Sequence, residues 1–63
     1  MSLRLWEEIE RIRIMRHLSE RDMCDIFNVT ENTYHKMRAY HCRPNNYQLI
    51  MFIISTRHHL DGI

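Results

Sequence analysis

LSERDMCDIFNVTENTYHKMRAYHCRPN, residues 18–45, decides how this chain folds. Ser19 is placed to cap a helix: its hydroxyl accepts from a free N–H of the first turn, and Asp22 brings a carboxylate to the same end. Met23, Ile26 and Phe27 then share one face. Asn28 is predicted to end this short helix, because asparagine tolerates the left-handed conformation of a sharp helix exit, though less readily than glycine. Val29 follows as a plug between helices, and Thr30 caps the next one, predicted to run to about His41. In that helix Tyr34 and Met37 point inward, while Asn32, His35, Lys36 and Ala39 fall on the opposite side.

The short joint from Phe27 to Thr30 forces the two helices to cross steeply, so the second should protrude as in a helix-turn-helix. Working outward, residues 3–16 place Leu5, Ile9 and Ile12 at i, i+4, i+7, with Leu3, Trp6 and Met15 broadening the stripe. Downstream, Arg43 precedes Pro44 and so avoids helical angles, and Asn45 with Gln48 reads as a capping box for a helix to about His59. The expected fold is all-α: one compact domain over residues 1–63, with helices at about 3–16, 20–27, 31–41 and 46–59 around a central helix-turn-helix.

Composition bounds the rest. A chain of 63 residues with 44% apolar and 27% charged residues, one Gly and one Pro is neither a disordered tail nor a loop-rich scaffold. Two cysteines, Cys24 and Cys42, make at most one bridge, and no charged segment leads into an apolar export run, so a reducing cytoplasm is the expected location. The longest apolar run, LIMFII at residues 49–54, falls far short of the roughly 20 residues that span a bilayer.

Formal net charge is only +1, but it is unevenly spread. Residues 1–31 carry five arginines against seven carboxylates, a net −2, whereas residues 32–63 carry Lys36, Arg38, Arg43 and Arg57 against Asp61 alone, a net +3. Four of the five histidines also lie in the second half. The half that follows the turn is the one suited to phosphate.

Taken together, residues 9–56 resemble the Cro/C1-type (XRE-like) helix-turn-helix proteins, the phage-repressor-like regulators. Ile9, Ile12 and Arg13 match the pattern of their first helix, and Leu18-Ser19 the start of the second. Cys24 stands at the small residue of the second helix, Asn28 at the turn glycine, and Val29-Thr30 at the Val-Ser/Thr that follows. Tyr34 and Met37 match the buried pair of the recognition helix, and Pro44 the proline before the fourth helix; no gap is needed. The resemblance implies a lambda-repressor-like fold.

Three positions depart from the pattern. Family members often pair the residue at Arg13 with a glutamate at the end of the recognition helix, where this chain has Arg38. Two nearby arginines repel, so each needs another partner. Glu20 stands where glutamine often helps to clamp a phosphate, and Glu31 where glutamine or arginine is frequent. Glu31 also suits the positive end of its own helix.

The resemblance implies a double-stranded DNA ligand and a sequence-specific transcriptional regulator of bacterial or phage type, repressor-like. On DNA, Asn32 would pair bidentately with adenine and Lys36 with guanine N7 and O6, with Thr33 and His35 next in reach of base edges. Arg43, Arg38 and Arg21 are the candidate phosphate contacts, which position a protein without reading sequence. The competing reading is a helix-turn-helix reused as a protein-interaction or accessory module, which Glu20, Glu31 and the near-neutral charge favour.

Other chemistries find less support. Zinc sites announce themselves by close ligand pairs, whereas His41-Cys42 and His58-His59 are adjacent residues whose side chains diverge. His35, His41 and Cys42 are the best remaining ligand set, and no metal or cofactor is expected. Cys24 reads as a small hydrophobe. No catalytic residues, and no small-molecule substrate, are expected: the chain lacks a glycine-rich loop or paired carboxylates, and is short for a pocket of about 300 Å3 or more.

The fourth helix is too apolar for one core. Leu49, Phe52, Ile53 and Thr56 suit the interior, while Tyr47, Ile50, Met51 and Ile54 form a second side, and the resemblance puts polar residues at Met51 and Ile54. The longer family members continue into a fifth helix that covers the core or joins subunits. A stripe of this size marks an interface or a missing cover. A homodimer, or a partner protein, gripping Tyr47, Ile50, Met51 and Ile54 is the expectation; the alternative is that Trp6 and Leu3 of the N-terminal segment cover them.

Overall fold

The computed structural model describes residues 3–57. Among them are four helices and no strand: α1 (Leu3–Met15), α2 (Glu20–Phe27), α3 (Glu31–Ala39) and α4 (Asn46–Thr56). None is long and apolar enough to cross a membrane.

The three expected N-caps form. Ser19, Thr30 and Asn45 each sit in extended backbone, and their side chains accept from the N–H groups of Asp22, Thr33 and Gln48. Two are full capping boxes, since Asp22 and Gln48 in turn accept from the backbone N–H of Ser19 and Asn45, both at 2.9 Å. Gln48 also reaches across to another helix. Its side-chain N–H donates to the Phe27 carbonyl at 3.1 Å, satisfying an orphan acceptor at the end of α2 from the start of α4.

Helix ends depart from the expected boundaries. α1 stops at Met15 rather than 16, and α3 at Ala39 rather than 41. The reason is a repeated exit in which one residue turns left-handed and the next N–H reaches back five positions. His17 (φ 57°), Asn28 (φ 57°) and His41 (φ 54°) take the left-handed place. The returning bonds are Leu18 to Arg13, Val29 to Cys24 and Cys42 to Met37, at 2.9, 3.0 and 2.9 Å. Only the Asn28 exit was legible. The two histidines adopt a conformation that costs a side chain with a Cβ about 1 kcal/mol. Arg57 (φ 58°) ends α4 after Thr56, so the expected run to His59 is shorter; His58 and His59 lie outside the described residues.

The core draws on every helix: Trp6, Ile9 and Ile12 from α1, Met23, Cys24 and Phe27 from α2, Tyr34 from α3, and Leu49 and Phe52 from α4. Phe27 is its centre. Its ring lies 6.1–6.2 Å from those of Trp6, Tyr34 and Phe52, one on each of the other helices. The α1 stripe is rotated from the expected one: Trp6 is buried, Leu5 only partly, and Leu3 and Met15 are half exposed. A hydrogen bond explains Trp6. Its indole N–H donates to the Cys42 carbonyl at 2.7 Å, which pins the start of α1 against the loop between α3 and α4. Trp6 is therefore committed to the core and Leu3 stays exposed, while Tyr47, Ile50 and Ile54 remain 63%, 48% and 57% exposed. Among the described residues, Leu3 and Trp6 do not cover this side of α4.

Candidate nucleic-acid interface

α2, the joint at residues 28–30 and α3 present one polar surface. α3 buries little of itself: Tyr34 is its one fully buried side chain, with Met37 and Arg38 half-buried. Asn32, His35, Lys36 and Ala39 lie on the side expected from the 100° spacing, and all four are exposed. Thr33 is exposed too, and its hydroxyl accepts from that of Thr30 at 3.0 Å. Lys36 has no ion-pair partner among the described residues.

The three arginines read as phosphate contacts stand differently. Arg21 is exposed on the first turn of α2, without an ion pair among the described residues. Arg43 is exposed in the α3–α4 loop and donates at 3.4 Å to the Asn46 side chain and the Pro44 carbonyl, long contacts that hold it loosely. Arg38 is engaged inside the fold. Its guanidinium pairs with Glu20 of α2 and, at 3.4 Å, with Glu10 of α1, lies 5.4 Å from the centre of the Tyr34 ring, and is 3.0 Å from His35 Nδ1.

Glu10 resolves the clash expected between Arg13 and Arg38. Its carboxylate accepts from Arg13 Nε at 3.1 Å, from Arg38 at 3.4 Å and from the Tyr34 hydroxyl at 2.7 Å. Arg13 also donates to the Leu18 carbonyl at 2.9 Å. One glutamate on α1 thus separates the two arginines and ties α3 down through Tyr34 and Arg38. Sequence reasoning missed it, although Glu10 lies three residues before Arg13, the spacing of an intrahelical pair.

Electrostatics follow from this cluster. The hydrogen bond from Arg38 holds the Glu20 carboxyl below its ordinary range, against a smaller opposing effect of desolvation. Burial, then the hydrogen bond to Glu10, push the Tyr34 phenol well above its ordinary value of 10.0. The folded state therefore keeps the phenolic proton at pH values where the unfolded chain has lost it. Stability is full below pH 10 and should fall above it, by about 1.4 kcal/mol per pH unit from this group alone. Thermal melts at pH 9 and 11 should show the drop in the wild type and a smaller one in Tyr34→Phe; equal drops would contradict the assignment.

The remaining candidates separate. Cys24 is buried, and burial followed by the nearby Glu31, Asp25 and Glu20 raises its thiol pKa, as suits a packing residue. Cys42 is exposed, and both cysteines are free thiols. Among the described residues, no three His, Cys, Asp or Glu side chains converge as a metal site would need. A shallow open groove lined by Arg4, Glu7, Glu8 and Arg11 runs along the outside of α1, apart from the α3 surface.

On α4, Leu49, Phe52 and Thr56 are buried and Ile53 packs against the core, whereas Tyr47, Ile50 and Ile54 are exposed and Met51 is half-buried among them. These four stand at i, i+3, i+4 and i+7, one continuous stripe on a helix without a charged residue. No family model, curated protein or solved structure matches the chain.

Proposed function

We propose that this chain is a sequence-specific DNA-binding regulator of transcription, repressor-like, of bacterial or phage type and cytoplasmic, which lays α3 in the major groove as one half of a dimer. The observation that carries this reading is the way α3 is mounted. A helix anchored by one fully buried side chain, Tyr34, holds Asn32, Thr33, His35 and Lys36 out on the surface beside the turn. Amide, hydroxyl, imidazole and ammonium groups are the side-chain types that read base edges. The resemblance to the Cro/C1-type proteins points the same way, and Arg21 and Arg43 flank the face as phosphate contacts. The stripe of Tyr47, Ile50, Met51 and Ile54 supplies the dimer contact in this reading.

One observation favours the second reading, a protein-interaction module: α4 offers an uncharged apolar stripe while Glu20 and Glu31 lie on α2 and α3. Selection of bound sequences from a random duplex pool separates the two. Enrichment of a two-fold symmetric site, with half-site centres about 34 Å apart, is the expected result. A lone unrepeated half-site would contradict the dimer, and no enrichment would favour the protein-interaction module.

A further inference from the structure

Arg38 is held by two carboxylates that differ in their surroundings. The Glu10 side chain is 23% exposed and also serves Arg13 and Tyr34, so it is built into the contact between α1 and α3. The Glu20 side chain is 40% exposed, and among the described residues its ion-pair contacts are to Arg38 and to His35, whose Nδ1 is 3.6 Å from its carboxylate oxygen. Through His35 it borders the surface of Asn32 and Lys36. Exposed ion pairs of this kind are weak and yield to salt. To a guanidinium, a carboxylate and a phosphate group offer the same kind of bond, charged oxygens accepting N–H.

We propose that Glu20 is an internal competitor of the DNA backbone: its carboxylate occupies the place on Arg38 that a phosphate oxygen takes when α3 enters the groove. This rests on the DNA-binding reading and deepens it. In the free protein the Glu20–Arg38 pair presents no net charge to an approaching duplex. When a phosphate takes Arg38, the Glu20 carboxylate is left beside the backbone, where it repels. Every duplex carries phosphates, so this exchange weakens binding to all sequences alike and leaves more of the grip to base-edge contacts. Glu20 thus sets how tightly any duplex is held, without touching a base. The carboxyl is held ionised by Arg38, so the competitor is in place at neutral pH.

The test is the affinity of wild type, Glu20→Gln and Glu8→Gln for a random-sequence duplex across a range of salt. Glu8→Gln removes the same charge from a side of α1 turned about 160° from Glu10. Glu20→Gln should bind about tenfold more tightly at 0.1 M salt and steepen the log–log salt slope by about one, as one freed arginine contact would, with Glu8→Gln near wild type. A wild type that binds while Glu20→Gln matches it, or matches Glu8→Gln, overturns the competitor and leaves the DNA reading standing. Binding by Glu20→Gln alone supports complete masking. Binding by none, even at low salt, overturns the DNA reading and the competitor with it. Should Glu20→Gln lose its helical circular dichroism, the carboxyl carbon signal of Glu20 in the wild type decides: it should shift as duplex is added, and a fixed signal in the complex overturns the exchange.

Discussion

Replacing Phe27 with alanine is expected to leave the chain largely unfolded at 25 °C. The ring is 1% exposed and meets the rings of Trp6, Tyr34 and Phe52, so it is the point where all four helices touch. Truncating a buried phenylalanine to alanine costs about 3–5 kcal/mol, through lost transfer energy and the cavity left behind. A domain of 63 residues has about 3–9 kcal/mol in total. The loss is therefore a large part of the whole, and the described residues form no second core to hold part of the fold. Far-UV circular dichroism should show most of the helical signal gone, or a melting temperature lower by more than about 12 °C. A cooperative melt within a few degrees of wild type would contradict Phe27 as the centre.

Glu10→Ala is the other substitution with a large effect, about 3 kcal/mol, although Glu10 is not a core residue. Its removal takes the acceptor from the buried Tyr34 hydroxyl and leaves Arg13 and Arg38 without the carboxylate between them. A buried donor left unsatisfied costs about 1–3 kcal/mol, and hydrogen bonds to a charged group are worth about 1.5–3 kcal/mol each. Because much of the cost is the stranded hydroxyl, Tyr34→Phe should offset part of it. Chemical denaturation of the two single variants and the double variant should give a double-variant cost below the sum by about 1 kcal/mol or more. Additive costs would show that the bond from Tyr34 to Glu10 contributes nothing.

What could be read from the sequence, and what could not, divides by the range of the interaction. Ser19, Thr30 and Asn45 were legible as caps because capping is settled within three residues, and the structure has all three. The outward side of α3 was legible for the same reason: 100° per residue fixes it once Tyr34 is inside. The ends of α1 and α3 were not, because His17 and His41 turn left-handed where a glycine would have announced the exit. The place of Trp6 depended on the Cys42 carbonyl, 36 residues away. In the same way Glu10 is an ordinary exposed-face residue in a helical wheel, and only the approach of α3 to α1 makes it the partner of Tyr34 and Arg38. Glu20 shows the limit most clearly. From the sequence it was a carboxylate facing phosphate; in the fold it is first a partner of Arg38.

The apolar stripe of α4 was legible as a surplus because Leu49, Phe52 and Thr56 already fill the inner side. Among the described residues Trp6 and Leu3 do not cover it, and the dimer is the proposed cover.

The most direct measurement is titration of wild type and Lys36→Ala with labelled duplex carrying the selected site, repeated from about 50 to 200 mM salt. If α3 reads DNA, wild-type affinity should fall steeply with salt, and Lys36→Ala should weaken binding about tenfold or more while relaxing the choice of base at one position in each half-site. A wild type with no salt-dependent duplex binding, or a Lys36→Ala protein with unchanged affinity and base preference, would contradict α3 as the DNA-reading helix.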